Sequence, residues 1–398
     1  MTRSPTRRRF LQAAGGITLL ALGGAIWRAH DREVFVTPSG APYDPWTLWN
    51  APEYKGTPVA LVAAGILASN PHNTQPWIFR LSETQIDILA DTSRNLGSFD
   101  PYLREMHIGL GCAIENMVLA APANGYGTEV LFEEGSLLEI EKSGLVRAAT
   151  IRLVDMQDQA DPLYEAIPLR HTNRYAYDRE RGFPEDLLRR LAAASADEHV
   201  ALSLFTEGEA FGALGRAIIE ATEEIVADHT MIEDSHAWFR DGPDEMEKER
   251  SGLALDTAGL SPALLAAAKF LPALPAEQSH AAWLGQTRDS HVPSAALLGV
   301  ISVRDRYDRP QALAAGRLWQ RIHLEASTAS IAMHPLNQPV ETIDRERELG
   351  KEAKSEARLT AITKDASWQP TFVFRGGYPT RSALASARRS VDEVSEEA

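Results

Sequence analysis

The stretch from Tyr102 to Ala121 constrains this chain more than any other. Met106, Leu110, Ile114, Met117 and Ala121 recur at helical spacing, which predicts an amphipathic helix. Gly109, Gly111 and Ala113 keep that helix slim, so a second helix can approach it closely. A helix with the same grain is predicted downstream, where Asp308 suits an N-cap, Pro310 suits the first turn and the helix runs to about Ala332. Gly111, Leu119 and Ala121 stand at offsets 0, 8 and 10, and Gly316, Leu324 and Ala326 repeat them, with Gly125 matched by Ser330. Leu67-Ala68-Ser69 precedes one predicted strand and Ala193-Ala194-Ser195 another. Each match alone is weak, because small-residue helices produce such coincidences. Both in the same order point to a duplicated α+β unit.

The remaining pattern is coarser. Pro58 to Ala68, Glu185 to Ala194, Gly212 to Asp228 and Ala263 to Phe270 read as helices. Trp77 to Phe79, Ile86 to Leu89, Val200 to Phe205 and Thr371 to Phe374 read as strands. Residues 30–56, rich in Pro, Gly and Trp, read as an extended arm, and the charged run 341–360 as a solvated helix face.

With 398 residues the chain is long enough for two or three domains or one two-lobed unit. A net charge of −15 argues against nucleic acid, whose backbone is bound through clustered Lys and Arg. The single cysteine, Cys112, excludes an intrachain disulfide framework and a cysteine-rich metal site. Residues 2–9 hold four arginines and no acid, and 13–27 are apolar or small apart from Thr18. Within this leader, Thr6-Arg7-Arg8-Arg9-Phe10-Leu11-Gln12 resembles the twin-arginine signal; a basic anchor helix is the alternative. The resemblance implies residues 1–30 as signal, the twin-arginine translocation machinery as partner, export of the folded chain, and a periplasmic or cell-envelope location. An uncleaved signal would leave the chain membrane-anchored.

Two stretches carry candidate chemistry. Ala68 to Trp77 joins a helix end, a polar turn and a strand start, projecting backbone amides with Asn73 and Gln75 toward one spot. Leu169 to Arg174 alternates basic residues with the hydroxyl of Thr172, a pattern able to grip a phosphate. The plainer readings are a capped turn over a core tryptophan and a solvated basic turn.

Pro71-His72-Asn73-Thr74-Gln75-Pro76-Trp77 after an Ala-rich helix resembles the hallmark of the nitroreductase family, most of all its fused, two-half branch typified by mycobacterial Acg-like proteins. The resemblance implies a nitroreductase-like α+β fold in which two related halves, 31–160 and 161–398, pack as an intramolecular pseudo-dimer, with the chain monomeric. It implies FMN as cofactor, with Pro71, His72, Asn73 and Gln75 beside the flavin ring. Arg170, Thr172 and Arg174 match the family's phosphate and ribityl segment, with Thr in place of Ser. Pro335 and Leu336 match the loop facing the reactive flavin edge. Arg389 matches its phosphate-binding arginine better than its neighbour Arg388 does. The first half lacks the phosphate segment, and Ala196 to His199 replaces the Asn-x-Gln turn in the second, so parts for one site remain.

The implied activity is hydride transfer through one flavin, from a small-molecule donor to a nitroaromatic or quinone-like acceptor. The rival is a flavin-sequestering protein without turnover, residues 230–290 with Trp238, Phe239 and Trp283 forming a lid. No catalytic side chain is obligatory in either case. Zinc-protease histidine spacing, a P-loop and a Gly-x-Ser-x-Gly elbow are missing. Met106, Met117 and Trp319 read as core, His236, His280 and His291 as packing or surface residues, and Cys112 as inert.

Overall fold

The computed structural model describes residues 24–142, 144–157, 159, 161–194 and 198–398. Residues 1–23 of the predicted signal, which hold the twin-arginine motif Thr6 to Gln12, lie outside the described residues, as do Ser195, Ala196 and Asp197. Among the described residues no helix is long and apolar enough to cross a membrane.

Two antiparallel sheets organise the chain. The first joins β1 (Trp77–Leu81), β2 (Gln85–Asp91), β3 (Tyr126–Phe132) and β4 (Leu145–Asp155) in the order β1-β2-β4-β3. The second joins β6 (Val200–Phe205), β7 (Leu297–Val303), β8 (Ala332–Pro335) and β9 (Gln369–Pro379) in the order β6-β7-β9-β8. Order and sense repeat strand for strand. Each sheet gains one edge strand: the two-residue β5 (Tyr177–Asp178) on β9, and the C-terminal β10 (Ser395–Glu397), parallel to β1.

Helices sit at equivalent places in the two sets. α1 (Pro58–Gly65) precedes β1, and α2 (Arg104–Ala120) lies between β2 and β3. α3 (Glu185–Ala194) precedes β6, while the second sheet is interrupted between β6 and β7 by α4 (Gly208–Val226), α5 (His229–His236), α6 (Pro243–Glu249), α7 (Pro262–Phe270) and α8 (Ala276–Gln286). α9 (Arg309–Thr328) lies between β7 and β8, followed by α10 (Gln338–Glu348) and α11 (Lys354–Thr363). Local chemistry starts the long helices. The Asp100 carboxylate accepts from Glu105 N (3.0 Å) and Met106 N (2.9 Å), and Asp308 accepts from Gln311 N (3.1 Å). α9 ends at Thr328, short of Ala332, because Ser330 turns into the left-handed region and the chain enters β8.

α2 and α9 cross at their glycines. A Cβ on Gly111 would strike Leu313 O, one on Gly316 would strike Ile108 O, and either would meet the other glycine's Cα at 3.0 Å. The contact is reciprocal: Ile108 and Leu313, like Gly111 and Gly316, stand 205 residues apart. Around this crossing one apolar core draws on both sheets, including Leu61, Trp77, Phe79, Ile114, Met117, Trp319 and Phe374. Each such buried side chain contributes about 1.5–3 kcal/mol. A second core fills the other face of β7 and β9, where Leu214 and Ile218 of α4 meet Leu336, Val340 and Leu359. β7 is therefore buried along its whole length.

Two expectations need correction. Residues 30–56 form a strap of tight turns, with Trp46 and Trp49 buried, because aromatic burial outweighs an extended path. The charged run 341–360 is not a solvated face. Glu341, Asp344 and Glu346 are buried, and Asp344 accepts from Arg104 Nε (2.8 Å) and Tyr307 OH (2.9 Å).

Candidate functional site

After α1 the chain reverses through residues 69–76. His72, Asn73 and Gln75 all lie in the left-handed region (φ 45°, 55° and 50°), which costs a non-glycine residue about 1–2 kcal/mol each. Such a turn persists only where its surroundings over-determine it, and here they do. Gln75 N donates to Asn70 Oδ1 (2.8 Å), Ser69 N to Gln320 Oε1 (3.2 Å), and the Pro71 ring packs where Gly109 leaves room on α2.

The strongest clamps come from the other end of the chain. Arg388 Nη1 donates to Asn73 Oδ1 (2.6 Å), Asn73 Nδ2 to Ala387 O (2.9 Å), and Arg389 N to Gln75 Oε1 (2.7 Å). The segment 386–389 is itself fixed by the strap: Trp46 Nε1 donates to Ser386 O (2.7 Å), Arg388 N donates to Pro42 O (2.7 Å), and the Arg388 guanidinium lies over the Trp46 ring.

A small cleft opens beside this junction. Its lining includes Asn70, Asn73, Arg170, Thr172, Arg174 and Arg388, and it has about 40 Å³ of room. Arg170 is 2% exposed and donates through Nη2 to Leu67 O (3.0 Å), while its Nε and Nη1, and Arg388 Nε, have no partner. Arg174 Nη1 donates to Thr257 O (3.1 Å). None of Arg170, Arg174 and Arg388 has a carboxylate partner among the described residues. Burial pushes Arg170 and Arg174 down to about 10, so both remain cationic at neutral pH. The adjacent imidazoles are neutral there: burial lowers His171 to about 3, helped by Arg170 and Arg388, and His72 to about 3, helped by Arg174 and His280. A buried concentration of guanidinium charge with unused N–H groups is the donor set of an anion site.

The residues 250–258 cover the cleft. Gly252 N donates to Asn73 O (3.0 Å), Asn73 Nδ2 to Gly252 O (3.2 Å) and Gln75 Nε2 to Arg250 O (2.7 Å), while Leu253 and Thr257 complete the lining. Behind this cover, His72 Nε2 lies 2.9 Å from Ser235 Oγ on α5.

The structure thus brings Asn73, Arg170, Thr172, Arg174 and Arg388 to one cleft. Gln75 is one layer back, holding Arg389. Pro71 turns to α2, and His72 to α5 and Phe99. Leu336 lies in the second core and Pro335 in β8, so neither lines the cleft. Of the two neighbouring arginines, Arg388 lines the cleft, while Arg389 Nη2 donates to Glu393 O (2.7 Å), away from the lining. Sequence reasoning missed Trp46 and the strap, which no local motif marks. It also gave no role to Arg375, fully buried, whose Nε donates to His334 Nδ1 (3.1 Å) and whose Nη2 donates to Tyr175 O (2.8 Å). A charge directly following the apolar run Phe372 to Phe374 was its one signal.

No protein-family model matches the chain. Over 119 residues it is 32% identical to proteins from two strains of Mycobacterium tuberculosis that carry the provisional name NAD(P)H nitroreductase, so that segment is related to them by sequence. The match spans 29% of this chain and one third (33%) of the length of those relatives. Among solved structures, the FMN-dependent nitroreductase NfnB from Mycobacterium smegmatis, in complex with NADPH, aligns with TM-score 0.38 and 14% identity over 59% of this chain and 96% of that one. A nitroreductase with bound FMN from Bacteroides fragilis aligns with TM-score 0.32 and 16% identity, over 58% and 95%. These superpositions are too loose to place a residue.

Proposed function

We propose that the chain is an FMN-dependent oxidoreductase of the nitroreductase family, with two related halves packed as an intramolecular pseudo-dimer and one flavin site. The observation that carries the reading is the meeting of Asn73 with Arg388, 315 residues apart, beside the unused N–H groups of Arg170. The relatedness to the mycobacterial proteins supports it over the matched segment.

The donor set fits the phosphate of FMN. Arg170 and Arg388 would take the dianion by charge-assisted hydrogen bonds, Thr172 offers a hydroxyl, and Arg174 adds charge farther along the cleft. The room beneath residues 250–258 is too small for a three-ring heterocycle. Loading therefore requires that segment to lift, which frees the Asn73 and Gln75 amides from Gly252 and Arg250. FMN bound there supplies hydride transfer between a small-molecule donor and a nitroaromatic or quinone-like acceptor. The chain's own part is to hold the phosphate, orient the ring with Asn73, and exclude water with Leu253 and Thr257.

The seated cover favours one alternative, storage of flavin without turnover. Steady-state oxidation of a reduced nicotinamide in the presence of a nitroaromatic or quinone separates the two: turnover supports the oxidoreductase, and bound FMN without turnover supports storage. The reading itself is tested on the chain expressed with its N-terminus. FMN near one per chain is expected, with Arg388→Ala or Arg174→Ala weakening it by about 1.5–3 kcal/mol, roughly ten- to a hundredfold. No flavin binding, or two FMN per chain, overturns it.

A further inference from the structure

We propose that the exposed faces of α5 and α8 carry a divalent transition-metal site, formed by His229 and Glu233 of α5 with Glu277 of α8, and that it fastens the two helices together. His229 and Glu233 stand four residues apart, so they share a helix face, and Glu277 in the first turn of α8 opposes them. One ligand atom from each lies within 4.8 Å of the other two. His229 Nε2 is 3.9 Å from a Glu233 oxygen and 3.8 Å from a Glu277 oxygen.

Three features make this more than a patch of acid. The donors come from two separate helices, so the metal would close a tertiary contact. Neither carboxylate has a Lys or Arg ion pair among the described residues, which leaves like charges converging on one imidazole. Finally, one imidazole nitrogen with two carboxylate oxygens is a donor set that suits Zn²⁺ and its neighbours over Ca²⁺ or Mg²⁺. Ligands about 2.0–2.1 Å from a tetrahedral ion lie about 3.3 Å apart. Closing from the observed separations asks about half an ångström of each His229–carboxylate pair and up to about 1.5 Å between the two carboxylates, of side chains that are more than half exposed and free to change rotamer. Three protein ligands leave positions for water, as in open zinc sites.

α5 also carries Ser235, the partner of His72, but the metal site shares no residue with the anion cleft. Its test is independent of flavin.

The experiment is calorimetric titration of the full, untagged, EDTA-treated chain with ZnCl₂, alongside its thermal midpoint. One Zn²⁺ per chain and a raised midpoint are expected. Glu277→Gln, Glu233→Gln and His229→Gln should each weaken binding at least tenfold, with circular dichroism unchanged because all three side chains are exposed. His199→Gln, on another element, should leave it unaltered, and a hundredfold excess of Ca²⁺ should not compete. Absence of stoichiometric binding, displacement by Ca²⁺, or binding indifferent to Glu277→Gln overturns the proposal.

Discussion

Arg170→Met separates binding from stability, because the two should move in opposite directions. In the folded chain the Arg170 guanidinium makes one hydrogen bond, to Leu67 O, and faces no carboxylate. Burial lowers it from the ordinary guanidinium value to about 10, a penalty on the charged form of about 3 kcal/mol. A base depressed on folding destabilises in full at every pH below its folded value, so the penalty is present throughout the neutral range. Methionine removes it while filling similar volume. Against this stands the orphaned Leu67 carbonyl, worth about 1–3 kcal/mol. The apo chain should therefore unfold at an unchanged or higher urea midpoint. Flavin binding should fall, since both unpartnered donors disappear; at about 1.5 kcal/mol or more each, the loss is roughly a hundredfold. Fluorescence titration of the apo chain with FMN reads the second quantity and urea denaturation the first. Unchanged FMN affinity, or apo stability reduced by more than about 2 kcal/mol, would refute the reasoning and make Arg170 a structural residue.

Gly316→Ala places a methyl against Ile108 O with backbone on both sides, so relief requires the central helices to separate. The thermal midpoint should fall by more than the usual overpacking penalty of about 1–3 kcal/mol implies, and an unchanged midpoint by calorimetry would contradict the crossing. Burial pushes Glu105 up to about 7 and Asp100 up to about 6, against the partial opposition of Arg104. Because these folded values lie above the unfolded ones, the stability they contribute is present below about pH 4.5 and lost as pH rises through about 7. Urea midpoints should fall between pH 5 and 8, and Glu105→Gln should flatten that slope. Replacing Arg7-Arg8 by Lys-Lys, which keeps the charge, should leave the chain in the cytoplasm by fractionation, whereas unimpaired export would remove the twin-arginine reading.

Legibility followed the range of the interaction. The Tyr102 to Ala121 helix and the turn around Asn73 were readable because their signals lie within a few residues. β7 was not, since Leu297 to Val303 is apolar but for Ser302 and shows no period. The acidic run around Asp344 was misread because its counter-charge, Arg104, is 240 residues earlier. The choice between Arg388 and Arg389 turns on which side chain faces inward. That is set by Pro42 O, the capping box at Ser390 and the docking of β10 on β1, all of them tertiary facts.

The same offset that relates the crossing glycines bears on why one site is proposed and not two. Asn116 of α2 meets Gln320 of α9, Gln320 Nε2 donating to Asn116 Oδ1 at 2.7 Å. Shifted by 205 residues and exchanged, that contact becomes Glu115 with Arg321, whose Nε donates to Glu115 Oε1 at 2.7 Å. The two positions are geometrically matched and chemically different. Gln320 Oε1 accepts from Ser69 N, and Asn116 Nδ2 donates to Ala64 O (2.9 Å), so the amide pair ties α1 and the start of the Asn73 turn to the helix crossing. An ion pair at the matched position answers its own charges: Glu115 is shared between Arg321 and Arg317. It offers no amide to a turn before β6. Either chemistry keeps the helix contact, because both bridge the same gap. Only the amide version also supports a strained turn. Replacing Gln320 by Leu removes the acceptor of Ser69 N and should then loosen the Ser69 to Gln75 turn, with weaker FMN binding. Replacing Arg321 by Gln should leave FMN affinity within about twofold of the parent, a change of about 0.4 kcal/mol. Equal effects of the two changes on FMN titration would show that the amide pair is not what supports the turn.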